Sequence, residues 1–293
     1  MRVLITGGGG QLARELVRSA PHSVEVHSRA RATCDVTERS SVQRALDNVG
    51  PDVVINAAAF TAVDQAETER ERAFAVNEGG ARNVAEASAT VGATVIQVST
   101  DFVFDGTRST PYPVDAEPAP INVYGASKLV GEEAVRSSGA SYVILRCGWL
   151  YSTSPGNFLT KILGHLQSGR PLRVVDDQVG VPTSAADAAR VIWWSTGAIP
   201  SVKNSVLHWA SRGAANRYEF AIAIRDLALE AGLLKHAGTI IPTKTSQYGV
   251  EARRPPYSVL DASATWEAMG STPPHWRVSL ANTIAGIAQP VTS

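Results

Sequence analysis

The sequence predicts an α/β protein, a doubly wound parallel sheet followed by a smaller C-terminal α/β unit. Three observations carry this reading. Short apolar runs at Arg2–Thr6, Asp52–Asn56, Thr94–Ser99 and Tyr142–Arg146 alternate with stretches of helical periodicity; continuous apolar strands separated by helices are the pattern of a sheet buried on both faces. The first run ends in four consecutive glycines, Gly7 to Gly10, and a helical pattern follows at once. Beyond Tyr151 the character changes, and no second glycine cluster follows a strand.

The 293 residues suffice for one large or two modest domains with a sizeable core. Their 27 basic and 27 acidic side chains cancel, so no overall field draws nucleic acid or an anionic membrane, and a small molecule is the expected partner. Two cysteines, Cys34 and Cys147, make no disulfide framework and have no spaced partners for zinc, which fits a reducing cytoplasmic compartment. The start MRVLIT enters a strand pattern directly, and no apolar run approaches the length of a membrane span. The expectation is a cytoplasmic protein with no membrane partner.

Taken in order, Arg2–Thr6 is a buried strand, Gly7–Gly10 a turn, and Leu12, Leu16 and Val17 mark the first helix. Glycines let backbone N–H groups approach a pyrophosphate, and the helix N-terminus adds partial positive charge. The spacing Gly7-x-x-Gly10-x-x-Ala13 keeps a small residue where helix and strand must pack. A second strand, Val24–His27, exits into Ser28-Arg29-Ala30-Arg31, where many dinucleotide folds place an acidic residue. Two guanidinium groups there suit a 2′-phosphate and hence NADPH over NADH, or are solvated loop residues. A short third strand is expected to end at Asp35 and Val36 beside an adenine, although Asp35 equally suits capping of the helix that runs from Thr37 to Val49.

The fourth strand, Asp52–Asn56, runs into Ala57-Ala58-Ala59, small residues that let a flat cofactor pass the backbone. A charged helix containing Glu67, Glu69 and Glu71 follows, and Asn77 reads as a structural hydrogen-bonder. The fifth strand, Thr94–Ser99, ends in Ser99-Thr100-Asp101; ligands of open α/β sheets bind outside the carboxyl ends of strands. Phe104–Pro120 is a loop and Tyr124 opens a helix. Tyr124 and Lys128 stand one turn apart on a helical face, so an ammonium placed near the phenol would bring its pKa down toward a useful acid. Taken alone, the two also make an ordinary surface pair.

The sixth strand, Tyr142–Arg146, closes a first domain, residues 1–150, to which a segment near 184–205 returns; residues 151–293 form mainly a substrate domain. There the expected elements are a helix over Asn157–Gln167, a strand Leu172–Val175, a polar turn Asp176–Thr183, a helix over Ala185–Ser195 capped by Thr183 or Ser184, a strand Val206–Trp209, a helix Tyr218–Ala231 and a rigid turn Arg253–Pro256.

Gly7-x-x-Gly10, Asn56-Ala57-Ala58-Ala59, Ser99-Thr100-Asp101 and Tyr124-x-x-x-Lys128, in this order and spacing, resemble the extended short-chain dehydrogenase/reductase superfamily with its Rossmann-like fold. Gly10-Gln11-Leu12, Phe60-Thr61-Ala62-Val63-Asp64, Phe102 to Gly106, Arg146-x-x-Trp149-x-Tyr151, Asp177 to Thr183 and Arg254-Pro255 resemble, within it, the dTDP-4-dehydrorhamnose reductase family over nearly the whole chain. The resemblance implies reduction of the C4 ketone of dTDP-4-dehydro-6-deoxy-L-mannose by NAD(P)H, with a nucleotide sugar as the partner molecule. It makes Tyr124 the proton donor, Lys128 the holder of the nicotinamide ribose and Thr100 the residue that orients the carbonyl. It assigns the cofactor to Gly7, Gly10, Gln11, Leu12, Arg29, Asp35, Val36, Ala57, Ala58, Ala59, Val98, Tyr124 and Lys128. Asp101 and Trp149 are then expected at the sugar, although Trp149 also suits core packing, and Gln178 and Arg254 at its nucleotide.

Three positions qualify the resemblance. Sugar-nucleotide 4,6-dehydratases carry a carboxylate directly after Thr-Asp, whereas this chain has Phe102, which transfers no proton. Members that dimerise through magnesium use a Glu on the first helix and another after the Pro-Thr motif; Glu15 fits, but the second position is Ala186, so no metal is expected. Cys147-Gly148 stands where Thr-Ser is frequent. Another dTDP-4-keto-6-deoxysugar reductase, and a non-catalytic relative of the methionine adenosyltransferase regulatory subunit, are the competing readings.

Overall fold

The computed structural model describes residues 1–249 and 251–288. Strand β1 (Arg2–Thr6) leads into α1 (Gln11–Arg18), then β2 (Glu25–Arg29), α2 (Arg39–Val49) and β3 (Val53–Asn56). Short helices α3 (Val63–Thr68) and α4 (Arg70–Phe74) run through a π-helical turn, Ala75–Gly79, into α5 (Gly80–Val91). Strand β4 (Thr94–Thr100), helix α6 (Val123–Arg136) and strand β5 (Tyr142–Cys147) complete the first half.

The expected third strand at Asp35 is absent. Arg31, Ala32 and Thr33 are exposed, and only Cys34 and Val36 turn inward, too little apolar surface for a strand buried on both faces. Asp35 instead closes a turn, accepting bonds from Thr37 N (3.0 Å) and Thr37 Oγ1 (2.7 Å).

After β5 come β6 (Leu150–Tyr151), α7 (Phe158–Gln167), β7 (Leu172–Val175), β8 (Val179–Gly180) and β9 (Thr183–Ser184). Helix α8 (Ala185–Gly197), capped by the Ser184 hydroxyl on Ala186 N at 3.2 Å, and α9 (Ile199–Val202) precede β10 (Ser205–Trp209). The chain ends through β11 (Ala215–Asn216), α10 (Arg217–Glu230), β12 (Ile240–Thr243), α11 (Ser263–Ala268) and α12 (Trp276–Ala288).

Six strands form one parallel sheet in the order β10-β5-β4-β3-β1-β2. Its sixth strand is therefore β10, supplied by the second half of the chain and paired with β5 from Ser205 opposite Val143 to Trp209 opposite Cys147. Two cores sandwich the sheet. One packs Leu12, Leu16, Ala188 and Ile192 of α1 and α8 on Val3, Ile5 and Leu145; the other packs Val42, Leu46, Val84 and Val135 on Leu4, Val54 and Ile144. A separate core around Tyr151, Leu159, Phe220, Trp276 and Leu280 holds the second unit together. Burial of such side chains contributes about 1.5–3 kcal/mol each.

Candidate active site

The carboxyl ends of β1, β3 and β4 open into a cleft of ≈ 810 Å³. At one end the glycine turn forms its floor. Gly7 has φ +71°, and a Cβ there would lie 2.7 Å from Ala58 N, so only glycine lets the turn press against the β3 exit. Gly10 N closes the turn on Gly7 O at 2.8 Å, and Gly8 N bonds Arg29 O at 2.8 Å. Ala57, Ala58 and Ala59 line the facing wall. Beneath them runs a buried polar row across the strand ends, Thr6 Oγ1 donating to Asn56 Oδ1 (2.6 Å) and Asn56 Nδ2 to Gln97 Oε1 (2.7 Å). Gln11 bridges this loop to the chain after β5, donating to Leu150 O at 3.3 Å and accepting from Ser152 Oγ at 3.2 Å.

Gly7, Gly10, Gln11, Leu12, Asp35 and Val36 share this half of the cleft, and Val98, Thr100, Tyr124, Lys128 and Trp149 line the other. Arg29 does not. Its side chain turns back to Ser28 O (3.4 Å), and the guanidinium groups on the wall are those of Arg31, paired with Asp35 at 2.9 Å, and Arg72. Against desolvation, bonds from Thr37 and Arg31 hold the Asp35 carboxyl below its usual range.

Helix α6 is set by Asn122, whose side chain accepts Gly125 N at 2.7 Å. Asn77, in the π-helical turn, accepts Phe60 N at 2.8 Å and donates to Ser127 Oγ at 2.9 Å, locking α6 beside the β3 exit; the expectation of a structural hydrogen-bonder describes these contacts. Tyr124 and Lys128 do face the cleft from one side of α6, but they do not couple as the spacing suggested. Lys128 Nζ donates to Val98 O at 2.6 Å. Burial pulls its pKa down to about 8, with Glu132 acting in the other direction. Burial likewise drives the Tyr124 phenol well above its usual value, and the neighbouring Thr100 hydroxyl only partly offsets this. The expected depression by Lys128 is therefore corrected: desolvation dominates both groups and raises the Tyr124 pKa instead of lowering it. Phe102 packs against Tyr124 in a T-shaped contact, ring centroids 5.9 Å apart.

Below α6 lies a buried charge cluster. Glu132, on the turn after Lys128, accepts Arg146 Nε (2.9 Å), Arg146 Nη2 (2.8 Å) and Ser99 Oγ (2.5 Å). It ties α6 to the ends of β4 and β5. His208 of β10, 3.5 Å from Arg146, is held neutral by burial, with its pKa pulled down to about 4.

The four remaining expected substrate contacts are distributed differently. Only Trp149 lines the cleft; it has φ +53°, a strained position for a bulky residue. Asp101 is 3% exposed and lies behind Thr100, outside the cleft lining. Gln178 is buried and donates to Thr245 Oγ1 at 3.0 Å. Arg254 is clamped on Asp64 by bonds of 2.9 and 2.7 Å, and that contact first of all holds the Asp64 carboxyl below its usual range. Sequence reasoning passed over Arg217, the first residue of α10, whose guanidinium lies 3.4 Å from the Trp149 ring centroid and 5.2 Å from that of Phe158. Burial lowers its pKa to about 9, and it makes no ion pair among the described residues. The signal for it was Asn216-x-x-Glu219, a capping box that opens a helix directly at Arg217.

Residues 1–289 match the family model described as RmlD substrate binding domain. The chain is 37% identical over 280 residues to the Bacillus subtilis spore coat polysaccharide biosynthesis protein SpsK, covering 95% of each chain. It is 37% identical to the dTDP-4-dehydrorhamnose reductase of Burkholderia thailandensis over 289 residues, 96% of this chain and 97% of that one. The crystal structure of dTDP-4-dehydrorhamnose reductase from Bacillus anthracis in complex with NADP superposes with a TM-score of 0.90 at 34% identity, covering 97% and 99% of the two chains. A parallel sheet ending in a glycine–alanine cleft, together with this full-length likeness, shows that the chain belongs to the RmlD family of dTDP-4-dehydrorhamnose reductases.

Proposed function

We propose that this chain reduces the C4 ketone of dTDP-4-dehydro-6-deoxy-L-mannose to the alcohol, giving dTDP-L-rhamnose, with NADPH as the preferred reductant and NADH as the alternative. The observation that carries this is the convergence in one cleft of a backbone cradle and the half-buried Tyr124 phenol beside Thr100 and Lys128. The cradle fits a dinucleotide: a side chain at Gly7 would strike the Ala57–Ala58 backbone and push the turn off its wall, and Ala57–Ala59 keep that wall flat. Gly7, Gly10, Gln11 and Leu12 would hold the pyrophosphate end, Asp35 and Val36 the adenine end, and Val98, Tyr124 and Lys128 the nicotinamide end. When bound, NADPH supplies the hydride that becomes the new C4 hydrogen.

The chain's own residues supply the rest. Tyr124 donates its proton to the C4 oxygen as negative charge develops there, since an alkoxide is far more basic than even a raised phenolate. Thr100, beside it, orients the same oxygen. Lys128, anchored on Val98 O, keeps positive charge next to the reacting centre. Phe102 offers no proton, which favours plain reduction over elimination. Trp149 and the unpaired Arg217 provide a flat face and a cation for the sugar and its diphosphate. Gln178 and Arg254 then shape the second unit around the nucleotide through Thr245 and Asp64. Ala186 leaves the magnesium-bridged pairing out of this proposal.

The test is NADPH oxidation with the 4-keto sugar, followed by identification of the product. Stoichiometric conversion to dTDP-L-rhamnose is the expected result. Cofactor binding without turnover would point instead to a regulatory relative, and a different epimer to another deoxysugar reductase.

A further inference from the structure

Asp101 is out of place for a substrate contact. Its carboxylate sits against Gly148, where the Cα leaves no room for a Cβ, and with Val181, Thr183, Ala210 and Leu260 it borders a space too small for a water molecule. Two hydroxyls reach it, Ser258 Oγ to Oδ2 at 2.6 Å and Thr100 Oγ1 to Oδ1 at 3.0 Å, and no cation bonds it among the described residues. Thr100 Oγ1 also accepts Phe102 N at 3.2 Å.

The direction of the Thr100 bond decides what Thr100 shows the substrate. An ionised carboxylate only accepts. Thr100 must then spend its single hydrogen on Asp101 and can offer Tyr124 and the cleft only a lone pair, which repels a developing oxyanion. A protonated Asp101 reverses the bond, donating to Thr100 Oγ1. With Phe102 N and Asp101 both donating to it, Thr100 has its hydrogen free for the C4 oxygen. We propose that Asp101 is a positioning residue that carries a proton in the working enzyme and thereby makes Thr100 a hydrogen-bond donor to the substrate oxygen. This rests on the reductase reading of the cleft.

Its surroundings agree. Taking a carboxylate out of water with no ion-pair partner disfavours the charged form, and burial raises the Asp101 pKa against Ser258, Thr100, the more distant Arg217 and its own backbone N–H. The titratable groups that Asp101 itself acts on, Tyr124 from α6 and Cys147 from β5, have their pKa values raised first of all by burial.

The test compares the wild type with Asp101→Asn and Asp101→Leu. In the infrared difference spectrum of wild type minus Asp101→Asn at neutral pH, a protonated carboxyl C=O stretch that moves in heavy water is expected; a carboxylate band in its place overturns the proposal. In turnover, Asp101→Leu releases Thr100 and is expected to lower kcat by about 100-fold, with KM for the sugar nucleotide within a few-fold. Asp101→Asn, which can still donate to Thr100, is expected to regain at least about tenfold of that loss. A Leu variant that raises KM and spares kcat makes Asp101 a substrate ligand and sinks the idea. NADPH affinity checks that each variant folds, and if Asp101→Leu does not, the Asn variant and the infrared band still decide. Should the wild type leave the 4-keto sugar unreduced, the function fails while the infrared band still reports on Asp101.

Discussion

Lys128→Met separates what the buried ammonium contributes to catalysis from what it costs the fold. Lys128 is 4% exposed, and burial lowers its pKa from 10.5 to about 8. At roughly 1.4 kcal/mol for each tenfold change in proton affinity, the folded state pays about 3 kcal/mol to keep the charge. The unfolded chain binds the proton more tightly, so the penalty is full below pH 8, fades as pH rises from about 8 to 10.5, and is gone above that. Met preserves the aliphatic stem but leaves the Val98 carbonyl without its 2.6 Å partner, which offsets about 1 kcal/mol. The net expectation is a variant about 2 kcal/mol more stable at pH 7, a rise in Tm of roughly 4 °C for a chain of this size. The gain should shrink between pH 8 and pH 10.5. The same variant should lose on the order of 100-fold or more in NADPH oxidation with the 4-keto sugar. Thermal unfolding of both proteins across this pH range is the assay. An equal or lower Tm for Lys128→Met at pH 7, or a difference that persists unchanged above pH 11, refutes the reasoning.

Three further outcomes are expected. Tyr124→Phe removes only the proton donor, so kcat falls about 10²–10⁴-fold while NADPH affinity measured by fluorescence titration stays within a few-fold; near wild-type turnover would reassign the acid. Arg31→Ala removes its guanidinium from the cleft wall, and kinetics with each cofactor should show about a tenfold rise in KM for NADPH against little change for NADH, an asymmetry that Arg29→Ala should lack. Arg146→Met leaves the buried Glu132 with the half-exposed Arg136 at 3.2 Å as its one remaining cation beside the Ser99 hydroxyl, and urea unfolding should register a loss of about 3 kcal/mol, largely recovered when Glu132→Gln is added; a loss under about 1 kcal/mol would mean that the pair is already solvated.

Local chemistry made most of the first half legible. Apolar runs bounded by glycine and alanine can only be buried strands meeting close-packed turns, so β1, β3, β4 and β5, the glycine floor and the alanine wall follow from residue type and spacing. The third strand did not follow, because the residues around Asp35 are exposed and a short apolar pair such as Cys34 and Val36 suits a turn as well as a strand. The strand over Val206–Trp209 was legible as β10, but not its place at the sheet edge, which depends on a pairing with β5 from 62 residues earlier in the chain.

The functional side chains divide in the same way. Tyr124, Lys128 and Thr100 announce themselves by spacing, and the sequence by itself determined that they lie at strand ends and on one helical face. Only the tertiary structure decided their ionisation and their partners. Desolvation depends on everything packed around a group, so Lys128 turned to Val98 O and the Tyr124 pKa was raised instead of lowered. The same long-range packing bonded Asp101 to Ser258, clamped Arg254 on Asp64 and brought Arg217 onto Trp149. Those contacts join residues far apart in the chain, where no periodicity records them.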